Sequence, residues 1–384
     1  MRPLLSLVIP TKNRYEYLTK SLDSLVPLKE KYGELLEIVV QDNSTSNEDF
    51  VPYLNNPPCQ FRYFYIPEHL SVVDNCNKAI LNSTGEFVCF NGDDDTVTSE
   101  ILNIVKWMKS RNIDSCHGTI IRYNWPDLLL QKPFFHSITI PKLQGVNKLI
   151  DTRKEVERVI ENGATSILNL PKVYHGIVSR AMLDRVYSKA YSFFPGPSPD
   201  MANAIALGLV VDRHMVIDMP FIISGFSAKS TGGQAARHAH KARIEDRPNL
   251  PKETALLWDK RNPRYWTVQT VWAESAIKSL QKMGREDLVS KFNFTALYAA
   301  FTVFNINLFK YCKSYISFKN VFPYVGNMIK EIVNRGKIFI NRQAERRLKI
   351  EHRYIVNNIQ SLLEAYNEAD TYIAQKHLEI PDVD

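Results

Sequence analysis

The sequence predicts an α/β chain built on a mostly parallel, doubly wound sheet flanked by helices, with a helical C-terminal region. Three observations carry this. From Leu4 to about residue 123, short apolar runs bounded by turn residues alternate with segments of helical spacing, the rhythm of strand–helix–strand units. Polar or acidic clusters follow three of these runs, at Pro10-Thr11-Lys12-Asn13-Arg14, Asp42-Asn43-Ser44 and Asp93-Asp94-Asp95, where open α/β sheets bind ligands. Beyond about residue 250 proline thins and helical spacing dominates, which divides the chain into residues 1–248 and 249–384.

Taken in order, Leu4 to Ile9 reads as a buried strand, and Leu18, Leu22 and Leu25 then share one helix face. Glu37 to Val40 is a second strand ending in a turn-forming cluster, and Phe61 to Tyr65 a third. Ser71 is placed to cap a helix through Leu81 that turns Val72, Cys76, Ala79 and Ile80 inward, with Gly85 ending the segment. Phe87 to Phe90 is a fourth strand and runs straight into the acidic triplet. A helix over Thr98–Arg111 and a strand over Cys116–Tyr123 follow. Residues 124–148 read as irregular, Thr152 with Glu155 as a capping box, and Val173–Val178 as a strand. A Pro/Gly-rich loop from Tyr191 to Asp200 leads into an apolar helix over Met201–Leu209, and a strand lies near Met215–Ile223.

Composition narrows the class. The 384 residues include 48 Lys+Arg against 41 Asp+Glu, a net +7, with 45% hydrophobic residues and 15 Gly. That is a globular chain and excludes disordered and collagen-like ones. Cys59, Cys76, Cys89, Cys116 and Cys312 form no C-x-x-C pair, which argues for a reduced, cytoplasmic chain and against a disulfide framework or zinc site. The apolar run before Pro10 is too short for a signal-peptide core. The charge-free stretch Phe292–Phe309 carries Asn293, Asn305 and Asn307, which favours a buried or interfacial helix over a membrane span.

There is no G-x-G-x-x-G and no G-x-x-x-x-G-K-[ST] in the chain, so dinucleotide and P-loop readings lose their main support. Three adjacent carboxylates after an apolar strand repel one another in a low-dielectric cleft. A divalent cation resolves this, and Mg²⁺ or Mn²⁺ is commonly held by one or two carboxylates plus substrate phosphates. The bland alternative is a solvated acidic turn beside the next helix. An aspartate such as Asp42, at the end of the second strand, is placed to accept from a ribose hydroxyl or a base N–H.

The blocks Leu7-Val8-Ile9-Pro10-Thr11-Lys12-Asn13-Arg14, Ile38 to Ser44 and Phe90-Asn91-Gly92-Asp93-Asp94-Asp95 resemble, in order and spacing, the start of a family 2 inverting glycosyltransferase with the GT-A (Rossmann-like) fold, over roughly residues 4–245. The resemblance implies that the first blocks cradle a sugar nucleotide, with Pro10, Thr11, Asn13, Arg14 and Asp42 as contacts, and that the acidic motif binds the diphosphate through Mn²⁺ or Mg²⁺. Gly92 stands where the family often has its first Asp. On this pattern Asp94 is the metal ligand, Asp93 a ribose or metal contact, and Asp95 a supporting acid beside the metal. The resemblance also implies a general base, for which Asp200 is the candidate; its plainer reading is a cap on the following helix. Asp184, Asp212 and Asp218 are the competitors, the last two structural by context. Ser230 to His240 resembles a mobile loop that closes over the diphosphate, with Gly232-Gly233 as hinge and Arg237, His238 and His240 as phosphate donors. Asn75 and Asn77 precede the acidic strand and are candidates to reach the nucleotide.

The function expected is therefore metal-dependent, inverting transfer of a sugar from a nucleotide sugar, UDP-linked by first choice, to a glycan or lipid-linked acceptor in bacterial cell-surface polysaccharide synthesis. A nucleotidyltransferase and a non-catalytic sugar-nucleotide or glycan-binding module are the alternatives. Residues 330–353 hold eight Lys/Arg and three Glu. Arg342, Arg346, Arg347, Lys349 and Arg353 suit either an anionic membrane surface at the inner face of the cell membrane or a solvated helix face. A homo-oligomer contact is a further role for this tail, and nucleic acid is disfavoured as a partner.

Overall fold

The computed structural model describes residues 2–128, 136–230, 241–247, 250–251, 253–348, 353–376 and 380. Strands β1 (Leu5–Thr11), β2 (Leu36–Asp42), β3 (Arg62–Tyr65) and β4 (Phe87–Phe90) form the parallel centre of the sheet in the order β3-β2-β1-β4. Leu5, Leu7 and Ile9 of β1 are buried in one core layer and Val8 in the opposite one. A strand buried on both faces reads as a nearly continuous apolar run, which is why the sequence marks it clearly. Each such side chain contributes about 1.5–3 kcal/mol by leaving water.

The remaining strands are β5 (Thr96–Val97), β6 (Ser115–Asn124), β7 (Ser137–Pro141), β8 (Lys148–Ile150), β9 (Ile177–Ser179), β10 (His214–Phe226) and β11 (Arg353–Asn357). They extend the sheet from β4 through β9, β6 and β7 to β11, with β10 pairing β5, β6 and β8. The pairs of β9, β7 and β11 are antiparallel. The register of β10 on β6 shifts between Ile217 and Ile222, where Pro220 has no N–H for the ladder.

The helices are α1 (Tyr15–Ser24), α2 (Val26–Tyr32), α3 (Val51–Asn55), α4 (Val72–Leu81), α5 (Ile101–Ser110), α6 (Thr152–Glu161), α7 (Arg180–Ala190), α8 (Pro199–Gly208), α9 (Thr254–Leu257), α10 (Val268–Lys282), α11 (Glu286–Ser290), α12 (Phe294–Phe304), α13 (Val321–Leu348) and α14 (Leu362–Gln375). Helices α1, α2 and α5 cover one face of the sheet, and α4, α7 and α8 the other. Ser71 accepts from the backbone N–H of Asp74, the expected cap, worth about 1 kcal/mol.

Three expectations change. Residues 124–148 are not irregular throughout, because β7 and β8 lie within them. Only the end of Val173–Val178 enters the ladder, as β9, and residues before it form a loop that is part of the site described below. The region after residue 249 is not wholly helical. Arg353-Tyr354-Ile355-Val356-Asn357, rich in β-branched and aromatic side chains, pairs with the edge of β7. Helix α14 then packs beside Tyr17, Ile121, Tyr123 and Trp125. The charge-free stretch forms α12, whose Leu297 and Phe301 are fully buried. Among the described residues no helix is long and apolar enough to cross a membrane.

Candidate active site

Parallel register brings the polar strand ends together. Thr11 at the end of β1 lies directly opposite Asp42 at the end of β2, and β4 delivers the acidic triplet beside them. The backbone at Gly92 explains the departure from an all-acidic motif. A Cβ there would stand 2.7 Å from Asp95 Oδ2 and 3.2 Å from Asp94 Oδ1, so a side chain would displace the carboxylates that follow. Gly225 is similarly constrained, since its Cβ would fall 1.7 Å from the Asp94 carbonyl oxygen.

All three triplet carboxylates are buried, with different partners. Asp93 Oδ2 accepts from Thr11 Oγ1 at 2.7 Å. Its Oδ1 lies 2.8 Å from Arg14 Nη1 yet accepts no hydrogen bond. Burial, opposed by Arg14, pushes the Asp93 carboxyl up to about 7. Asp94 Oδ2 receives Arg14 Nη2 at 2.9 Å and Ser227 Oγ at 2.5 Å, and burial together with Asp95 raises its pKa. Asp93 and Asp94 thus share one guanidinium, which leaves the pair one positive charge short.

Asp95 differs. Its Oδ1 accepts from the Gly225 N–H, and its Oδ2 from the Gly92 N–H, Tyr174 Oη and His175 Nε2 at 2.7 to 3.2 Å. Burial alone would raise its pKa, but His175 and the backbone donors outweigh it and hold the carboxyl below its usual value. Asp95, expected beside a metal, has protein donors on both oxygens, and these brace the loop. Among the described residues no group of three or more His, Cys, Asp or Glu side chains has the arrangement to hold a metal by itself.

Asp200 sits in the first turn of α8, where Ser198 is the N-cap and makes no side-chain cap. Its carboxylate makes no hydrogen bond to another described residue. Burial raises its pKa, while His175 and Lys172 pull it down. His175 therefore touches Asp95 and acts electrostatically on Asp200, linking the triplet to a carboxylate from a distant helix. The competitors are engaged or outlying. Asp218 accepts from Thr119 Oγ1 and the Gly145 N–H, Asp212 pairs with Arg153, and Asp184 is exposed.

The other expected contacts are gathered at the strand ends, but several are turned to one another. Asp42 is fully buried and accepts from Tyr15 Oη at 2.6 Å, Tyr63 Oη at 2.7 Å and the Ser44 N–H. Its Oδ2 accepts twice and its Oδ1 once, from protein donors. Asn13 has φ 55° and joins the first two strand-end loops through Ser44 Oγ and the Thr45 N–H. Pro10 lies within β1 opposite Gln41. Asn77 binds Ser192 and the Phe193 N–H and so tethers the Pro-rich loop. Asn75 is buried beside the Thr11 carbonyl with its Oδ1 unpartnered, an acceptor available to a ligand. Arg237, His238 and His240 lie outside the described residues, as does Gly232-Gly233. Sequence reasoning missed His175, Tyr174, Lys172 and Ser227, which come from two loops far from the triplet in sequence. The one local signal was the Tyr174-His175-Gly176 turn.

Residues 6–165 match the family described as Glycosyl transferase family 2. No curated protein matches the chain. Among solved structures, S. aureus TarS is similar at 15% identity and TM-score 0.46 over 85% of this chain and 55% of that one, so the chain spans just over half its length. The TarS 1–349 structure in complex with UDP-GlcNAc is similar at 15% identity and TM-score 0.45, over 88% of this chain and 92% of that one. A Pyrobaculum calidifontis mannosyltransferase, PcManGT, in complex with GDP-Man and Mn²⁺, is similar at 14% identity and TM-score 0.41, over 99% and 89%.

Proposed function

We propose that the chain, whose residues 6–165 match the family described as Glycosyl transferase family 2, transfers a sugar from a nucleoside diphosphate sugar to an acceptor hydroxyl with inversion, Asp200 serving as base. The observation that carries this reading is the single imidazole of His175, bonded to Asp95 and acting on Asp200. It ties a strand-end acidic motif to a partly buried carboxylate of raised pKa, the pairing that donor binding and base catalysis require.

In the proposed step the Asp200 carboxylate takes the acceptor proton as that oxygen bonds to the anomeric carbon. The carbon–oxygen bond to the diphosphate breaks on the opposite side, and the nucleoside diphosphate leaves. A base held above the ordinary carboxylate value by burial takes up a proton more readily than a solvated one. Asn75 Oδ1 is the free acceptor for a donor hydroxyl or base N–H.

Asp93 and Asp94 fit a divalent cation: Asp93 has a buried oxygen without a hydrogen bond, and the pair lacks one compensating charge. They would hold Mn²⁺ or Mg²⁺ together with substrate oxygens. Such an ion supplies charge neutralisation to the diphosphate leaving group. Arg14, their present partner, would stand beside the phosphates. The cysteines are free and four of the five are buried, which suits a reducing, cytoplasmic compartment. We place the reaction in cell-surface polysaccharide synthesis, with a glycan or lipid-linked saccharide as acceptor.

A donor screen tests the reading. With Mn²⁺ and a mixed glycan acceptor pool, nucleoside diphosphate release should exceed background for one class among UDP, GDP and dTDP sugars, UDP being the first expectation. Release from none of them, together with no diphosphate binding, would sink it.

A further inference from the structure

The first turns of α13 are anchored to the body of the fold. Tyr324 is buried and its Oη donates to Thr302 Oγ1 at 3.1 Å, Asn327 reaches Thr295, and Arg335 reaches the Val303 carbonyl. Beside this anchored side runs an apolar one that no described residue covers. Phe322 is 77% exposed, Ile329 58%, Ile332 53%, Phe339 62% and Ile340 64%. At 3.6 residues per turn these positions, with Val325 and Val333, fall within a stripe about 120° wide. Lys330 and Lys337 flank it on one side and Arg335 on the other, and all three are exposed. Residues 330–353 together carry eight Lys/Arg against three Glu.

We propose that α13 is an interfacial helix that docks the chain on a bilayer containing anionic phospholipid, apolar stripe inward and basic flanks at the headgroups. Two features select lipid over a second copy of the chain. A helix–helix seam needs only the a and d positions, here Phe322, Val325, Ile329, Ile332 and Phe339, whereas Val333 and Ile340 widen the stripe beyond such a seam. The neighbouring e and g positions hold Gly326, Val333, Ile340, Met328, Arg335 and Arg342, none of them acidic, so two copies would bring like charge together without a pairing partner. An anionic surface supplies the complement. The helix lies on the bilayer and does not span it, in keeping with its charges.

The test is flotation of the full chain with vesicles of phosphatidylcholine alone and of phosphatidylcholine with about 30% phosphatidylglycerol. Binding is expected to the anionic vesicles only, and to fall as salt rises. The double variant Ile332→Asn/Phe339→Asn should bind at least about tenfold more weakly, the effect of losing two buried apolar side chains. Ile338→Asn, on the opposite side of the helix, should bind like wild type. All three positions are exposed, so folding is retained and circular dichroism checks it. No binding of wild type to anionic vesicles, or undiminished binding by the double variant, overturns the proposal. So does a dimer in sedimentation velocity that the double variant dissociates while vesicles remain unbound.

Discussion

Asp200→Asn should leave nucleotide-sugar binding near wild type and lower transfer by about 10²–10⁴-fold, the usual contribution of a positioned general base. The side chain keeps its shape and loses only its basicity. Binding by calorimetry and transfer by product release separate the two effects. Turnover near wild type would place the base elsewhere. The pH profile adds a second readout. Transfer needs Asp200 ionised, and burial raises its pKa, so the rate should climb with pH through a midpoint above the ordinary carboxylate value and then level. The variant should lack that limb. Stability follows the opposite sense. A carboxyl with a raised folded pKa favours folding while protonated, and this contribution is lost as pH rises from its unfolded pKa through its folded one. Asn removes the cost of burying the charge, so the variant should be no less stable than wild type at neutral pH, and lost transfer is not explained by unfolding.

Arg14→Met should cost about 3–5 kcal/mol of stability near neutral to mildly alkaline pH without divalent cation, the penalty for stripping a buried ion pair of one partner. Arg14 is the common partner of Asp93 and Asp94, at 2.8 and 2.9 Å, with the two carboxylates 4% and 6% exposed. Wild-type Asp93 already titrates at about 7 because burial outweighs Arg14, and the variant should titrate higher still. The deficit should therefore shrink as pH falls and both carboxyls protonate, and grow as pH rises through their folded pKa values. Mn²⁺ should recover part of the loss by supplying the missing charge. Chemical denaturation at two pH values, with and without Mn²⁺, measures this. A deficit below about 1 kcal/mol at every pH would mean the pairs behave as solvent-screened surface contacts.

Much of this site was legible because its strands are buried on both faces. Such strands are nearly continuous apolar runs, so Leu5–Ile9, interrupted only by Ser6, and Phe87–Phe90 stand out, and the polar residues after them mark the sheet edge. What the pattern cannot convey is which polar side chains satisfy one another. Asp42 looks open to a ligand until Tyr15 from α1 and Tyr63 from β3 are folded onto it. Arg14 follows β1 directly, but its guanidinium is spent on residues some eighty positions later. Asp95 is distinguishable from its neighbours only through His175, held at φ 58° by a loop that periodicity reads as strand. Edge strands are the other gap. Arg353–Asn357 is half exposed, and its pairing with β7 depends on a partner more than two hundred residues away.

The central claim is that Asp93 and Asp94 form, with Arg14, a nucleoside diphosphate site completed by a divalent cation. Calorimetric titration of wild-type protein with UDP, with Mn²⁺ and with chelator, tests it most directly. Saturable one-to-one binding is expected with Mn²⁺, lost or greatly weakened in chelator. Absence of binding to UDP, GDP and dTDP with Mn²⁺ present, or binding of the same strength in chelator, would contradict it.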